Sequence, residues 1–249
     1  MLYIEKIQPS QEILDELSEA KRNFKIQSSE EAAIAFDSLT KQAKGLIRDS
    51  LIKEQHGLCA YCMRRIKNSD DNIIPTTTIE HYKPKSNSKY FDLTLDYKNM
   101  LAVCSGGRDK NAGKKFLCCD ASKGDQEIRI NPFNHSDIEK IRYKPDGTIY
   151  TYPRDDKFEE DINDILRLNG ERDGKGNLVN DTSTELVKCR KEAYENLFLN
   201  FIKGLKSKNK LNRKNIEKRI QELEQEEPRR EFLGVILYFL KRELKKYQE

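Results

Sequence analysis

Four groups of chemically capable side chains follow one another through the middle of this 249-residue chain: Cys59-Ala-Tyr-Cys62, Glu80-His81, Asn99, and Cys119-Asp120 with Lys123 close behind. Two cysteines separated by two residues let one tight turn present both thiolates to the same ion, and zinc favours such a tetrahedral cage of soft ligands. Cys59 and Cys62 meet that requirement. A second pair has to come from Cys104 and, across residues 105–118, from Cys119 or its neighbour Cys118. Cys119 is favoured because it directly precedes the polar residue Asp120, which leaves Cys118 and Cys189 as small buried apolar residues.

The other members suit a different chemistry. Hydrolysis of a phosphodiester beside a single divalent ion needs a general base to activate water and a cation to stabilise the leaving oxygen. His81 is the base candidate, because a neutral imidazole is well matched to taking a proton near pH 7. Glu80 and Asp120 supply hard oxygens of the kind that hold magnesium or manganese, although Glu80 would face away from its neighbour His81 unless the strand is distorted or ends there. Asn99 is assigned a supporting task, its amide oxygen accepting the second imidazole N–H and so fixing the tautomer. Lys83, Lys85 and Lys123 add positive charge suited to phosphate contacts. Asp120 alone would pass as a helix cap, so the joint order carries the argument. His56 reads as a helix-end residue and His135 as part of a turn. The stretch from Gly107 to Lys114 is not a phosphate loop, since five residues instead of four separate Gly107 from Gly113 and Lys115 stands where Ser or Thr belongs.

Composition sets the frame. With 36% hydrophobic and 35% charged residues and no long apolar run, the chain reads as cytoplasmic, neither exported nor membrane-spanning. A reduced compartment argues against a disulfide framework for the six cysteines and leaves metal binding as the first alternative. The net charge of +4 hides a basic block from Lys203 to Arg219, eight Lys/Arg against Glu217 alone, which either meets phosphate or is simply solvated.

Elements must position these groups. Apolar spacing predicts a helix over Ser10 to Phe24, a second capped by Ser28 and Glu31, and a third from Leu39 that ends at His56-Gly57. Strands are expected over Thr76 to Tyr82 and Asn99 to Cys104, with a mobile loop over Ser105 to Leu117 and a hairpin turning at Asp146-Gly147. Leu186, Ala193, Leu197, Phe201 and Leu205 mark an amphipathic helical segment, and Phe232 to Leu240 reads as a buried helix. Both apolar faces exceed what a small metal-held domain needs, so one of them could dock on a partner. The chain divides into a helical part (1–56), a metal-bearing unit (57–135), and a hairpin with C-terminal helices (136–249).

The chain resembles the HNH endonuclease subunits of Septu-type anti-phage defence systems, which also occur as retron effectors. The likeness rests on Cys59-Ala-Tyr-Cys62, Ile79-Glu-His-Tyr-Lys-Pro-Lys85, Leu95-Asp-Tyr-Lys-Asn-Met-Leu101 with Cys104, Cys119-Asp-Ala-Ser-Lys-Gly124, Ile130-Asn-Pro-Phe133 and Asp164-Ile-Leu-Arg-Leu-Asn169. It implies an α+β, mostly α-helical fold in which a zinc-stapled ββα-metal unit is flanked by helical segments. It also implies a bacterial nuclease, acting on DNA ahead of RNA, with Zn²⁺ in the cysteine cage and Mg²⁺ or Mn²⁺ at Glu80 and Asp120. Its expected partners are an ABC-type ATPase subunit and, in retrons, a reverse transcriptase with its msDNA. Two departures stand out: Cys118 occupies a position commonly His, and Asp120 one that is often His or Asn. The alternatives are an RNA-cleaving enzyme, tRNA included, and a zinc-ribbon module that binds nucleic acid or protein without cutting.

Overall fold

The computed structural model describes residues 1–67, 77–108 and 113–247. Helix α1 (Gln11–Asn23) begins where the Ser10 side chain accepts the Ile13 N–H, and it buries Ile13, Leu17 and Ala20. Helix α2 (Ser29–Asp37) is capped by Ser28 on Glu31 N, while the Glu31 carboxylate reaches back to Gln27 N, one residue ahead of the cap. Helix α3 (Lys41–Glu54) starts at Thr40, buries Ala43, Ile47 and Leu51, and is followed by His56 and Gly57, both at positive φ. All three helices thus form where capping residues and apolar spacing place them.

The described part of the first strand, β1 (Thr77–His81), pairs antiparallel with β2 (Met100–Cys104), setting Glu80 opposite Leu101 and His81 opposite Met100. Thr76, expected in this strand, lies outside the described residues, as do residues 109–112 of the expected loop. Strand β2 is buried along its whole length. The Gln55 amide meets both the N–H and the carbonyl of Ala102, so the turn after α3 is sewn to this strand.

Short pieces follow: α4 (Asp120–Lys123), α5 (His135–Ile138), and the hairpin of β3 (Ile141–Tyr143) with β4 (Ile149–Thr151). Gly147 closes that hairpin at φ +89°, and a Cβ there would lie 2.1 Å from the Val187 carbonyl. Helix α6 (Asp156–Glu160) runs into a π turn at Asp161–Ile165, after which β5 (Glu171–Arg172) pairs with β6 (Leu178–Asn180).

The C-terminal part is helical. The segment expected from Leu186 to Leu205 is α7 (Leu186–Glu192) and α8 (Asn200–Ser207) joined by a π segment, Ala193–Leu199. Helices α9 (Arg213–Glu224) and α10 (Leu233–Leu244) complete it, α10 burying Val235, Ile236, Phe239 and Leu240. Tyr194 and Phe198 meet Phe239 at ring distances of 4.4 and 5.4 Å, so the two apolar faces cover each other. Among the described residues no helix is long and apolar enough to cross a membrane. In the basic block, Arg213 pairs with Glu217 and Arg219 with Glu222 on the surface of α9. One apolar core joins the N-terminal helices, β2 and α10, giving an α+β, mostly helical fold with two-stranded sheets.

Candidate metal centre and the adjoining cavity

The sulfurs of Cys59, Cys62, Cys104 and Cys119 lie within 4.8 Å of one another. Cys59 to Cys119 is 4.0 Å and Cys62 to Cys104 is 3.7 Å, far beyond a disulfide bond. Four thiolates arranged tetrahedrally about zinc, at a metal–sulfur distance of about 2.3 Å, stand about 3.8 Å apart. The cluster can therefore hold a metal ion of that size, and the donor set fits one.

Local geometry explains how the cage closes. Cys59 N–H donates to Arg64 O and Met63 N–H to Cys59 O, forming a knuckle in which Met63 takes φ 64°. The knuckle is fixed to β2 by Ala60 N–H on Ala102 O. On the other side Gly106 O accepts the Cys118 N–H at 3.0 Å, so the chain leaves β2 and returns beside it despite the intervening residues. A Cβ at Gly106 would lie 2.1 Å from the Cys118 carbonyl, and its φ of +63° independently calls for glycine. Cys119 N–H is held by Leu166 O, with φ 55° turning its sulfur into the cage. The Cys118 sulfur is not one of the four; it lies near Gly106 O and Thr184 Oγ1 and also interacts with the Cys104 and Cys119 thiols at the rim of the cage. Of the two neighbours, the structure therefore brings Cys119 to the cluster.

Beside the cage, Glu80, His81, Lys85, Arg108, Asp120 and Lys123 line one cavity of about 230 Å³, with Phe36 among its other walls. Strand β1 ends at His81, so two neighbours that would face apart in a continuing strand both reach this cavity. His81 packs edge-on against Phe36 at 4.9 Å. Its Nε2 is 2.8 Å from the Thr94 carbonyl, which can only accept, so Nε2 carries the proton and Nδ1 is the basic nitrogen. Burial pushes the imidazole down to about 4; the Thr94 carbonyl opposes the shift, and nearby Lys85 and Lys123 reinforce it. The ring is neutral at pH 7, as a base must be.

Asn99 does not do what its position in the sequence suggested. Its amide oxygen accepts Lys83 N–H and its NH₂ donates to Lys83 O and Leu93 O, because the chain folds back on itself between β1 and β2. It pins the backbone just after His81, and Thr94 orients the imidazole in its place.

The charges are also partnered differently. Lys123, 1% exposed, lies 2.6 Å from Glu80 Oε1 and 3.3 Å from the His81 carbonyl, so it is a buried ion-pair partner and no free phosphate contact. Lys83 pairs with Glu127 at 2.5 Å and is not among the cavity's lining residues. Lys85 alone of the three lines the cavity without an ion pair among the described residues, its ammonium 4.8 Å from the Phe36 ring centre. Arg108, which sequence reasoning missed, pairs with Asp120 Oδ2 at 2.6 Å. Tyr61 was likewise missed; its hydroxyl donates to Glu80 Oε1 at 3.3 Å. Burial pushes the Glu80 carboxyl up to about 8, while Lys123 pulls it down and the hydrogen-bonded Asp120 adds to the rise.

By donor type, Glu80 and Asp120 suit a hard divalent ion. By charge they do not fit one as they stand, because protein cations already hold an oxygen of each. Among the described residues, the cysteine cage is the one group of three or more cysteine, histidine and acidic side chains close enough to share an ion. No protein-family model matches this chain, and no curated protein matches it.

Proposed function

We propose that the chain is a zinc-stapled nucleic-acid hydrolase of the HNH type, in which the β1–β2 pair and α4 make up the ββα unit. The observation that carries this reading is the cavity that a neutral His81, with Nδ1 unprotonated, lines together with Glu80 and Asp120, the latter next in sequence to the cage residue Cys119. Nδ1 would take a proton from water as the oxygen attacks phosphorus, the P–O bond to the leaving nucleotide would break, and the departing oxygen would take its proton from a second water. Lys85 at the mouth suits a phosphate oxygen, and such contacts grip the backbone without reading bases. DNA is preferred to RNA on resemblance alone, and so is partnership with an ABC-type ATPase, because the two apolar faces that would dock a partner cover each other.

A specific observation favours a second reading, that of a zinc-ribbon module which binds nucleic acid or protein without cutting: the cysteine cage has everything it needs, whereas Glu80 and Asp120 are already neutralised by Lys123 and Arg108. The test is incubation of purified protein, with and without an ABC-type ATPase encoded beside it, with DNA and total RNA in Mg²⁺ or Mn²⁺. Cutting is expected from the wild type and should disappear in His81→Ala with zinc content unchanged. Full activity in that variant removes His81 as the base. A zinc-loaded wild type that binds but never cuts establishes the second reading.

A further inference from the structure

Each carboxylate that a catalytic metal would need already has a partner inside the protein. The Lys123 ammonium is buried and reaches Glu80 from α4, and the Arg108 guanidinium reaches Asp120 from the segment after the Gly106 turn. The cavity lining carries three acidic side chains, Glu80, Asp120 and Asp125, beside three basic ones, Lys85, Arg108 and Lys123.

We propose that Lys123 and Arg108 are resident counter-cations that compete with a divalent ion for Glu80 and Asp120, so that the pocket accepts such an ion only when one of them is displaced. This rests on the hydrolase reading of the same pocket, and it makes metal entry the controlled step. Lys123 holds Glu80 Oε1 and Arg108 holds Asp120 Oδ2, so a divalent ion drawn to the other oxygen of each would sit close to two resident cations and be repelled by both, and a buried lysine is not screened by water as a surface one is. Lys123 has little freedom to withdraw: it is one turn from the cage residue Cys119 and also donates to the His81 carbonyl. Arg108 is half exposed on its side chain and can rotate into solvent with its charge hydrated. A polyanionic strand arriving at the pocket offers that guanidinium a phosphate partner in exchange for Asp120. Substrate and metal would thus bind cooperatively.

The test is Mn²⁺ binding to the zinc-loaded protein, measured by electron paramagnetic resonance of the free ion, with no cutting assay involved. Arg108→Ala, a surface change that threatens neither cage nor core, is expected to tighten Mn²⁺ at least tenfold. Lys123→Met, which keeps the buried volume, is expected to do at least the same. A short phosphorothioate single strand added to the wild type should tighten Mn²⁺ several-fold and have no such effect on Arg108→Ala. Mn²⁺ affinity that is unchanged or weaker in Arg108→Ala overturns the proposal whether or not Lys123→Met folds, and so does absence of binding in both wild type and Arg108→Ala. Failure to cut any substrate while Arg108→Ala still binds Mn²⁺ tightly overturns the hydrolase reading and leaves the competition standing.

Discussion

The choice between two adjacent cysteines can be made quantitative. Cys119 is one of the four cage sulfurs, whereas Cys118 stands beside the cage, near Gly106 O at 3.8 Å and Thr184 Oγ1 at 3.5 Å. A structural zinc site contributes about 10 to 16 kcal/mol at neutral pH, comparable with the whole net stability of about 5 to 15 kcal/mol typical of a folded protein. Releasing the metal forfeits all of that contribution. For a chain of this size each kcal/mol moves the unfolding temperature by about 2 to 4 °C, so Cys119→Ser should release the metal and lower that temperature by about 20 °C or more. In Cys118→Ser the hydroxyl inherits two polar neighbours, and the loss should stay near 1 kcal/mol, with metal retained. The assays are metal content by mass spectrometry after gel filtration, and thermal unfolding with and without a chelator. Chelator should collapse Cys118→Ser to the level of Cys119→Ser. Loss of zinc from Cys118→Ser with retention by Cys119→Ser would show that the cage is closed by the other neighbour and that the backbone turn at Cys119 has been misread.

Much of this fold is legible in the sequence because its causes are local. Ser10, Ser28 and Thr40 cap helices, since each side-chain oxygen meets an N–H three residues on. Asp146-Gly147 turns a hairpin because glycine alone accepts that φ without strain. The cage was legible for a similar reason, as Cys-x-x-Cys is a property of one turn. The helical spacing beyond Ala193 misleads, however. A π segment holds an extra residue per turn, and across it the buried positions become Phe198 and Ile202, with Leu197 and Phe201 only partly covered. Periodicity assumes a constant pitch and cannot show where the pitch changes. The ionic arrangement of the cavity was hidden for a different reason: Lys123 meets Glu80 across 43 positions and Arg108 meets Asp120 across 12, pairings set by how α4 folds over β1. Asn99 belongs to the same class. Its residue type announced a hydrogen-bonding task, but only the return of the chain toward β2 decides that Lys83 and Leu93 receive it.

Alanine at two glycines should change stability in opposite directions in urea unfolding. Gly45 sits inside α3 with nothing within 4 Å of a Cβ, so Gly45→Ala should stabilise by about 0.5 to 1 kcal/mol. Gly147→Ala should cost more than about 2 kcal/mol from its backbone conformation together with the clash at Val187 O; equal effects would sink the argument. Asp161 Oδ2 accepts the N–H groups of Arg129 and Ile130 at 2.6 and 2.7 Å, pinning the chain just beyond α4. Burial nonetheless outweighs those bonds and raises its carboxyl from 3.8 to about 6. Because the folded pKa is the higher one, the folded state binds the proton more tightly, and this contribution is complete below about pH 4 and is lost as pH rises to about 6. The shift corresponds to roughly 3 kcal/mol at most. Asp161→Asn keeps an oxygen that can accept both N–H groups but removes the titration. Between pH 4 and 6 its stability should therefore rise relative to the wild type by up to that amount, read as the difference of two urea series. Parallel pH profiles for the two proteins would mean that the two backbone donors, and not burial, set the charge state of Asp161.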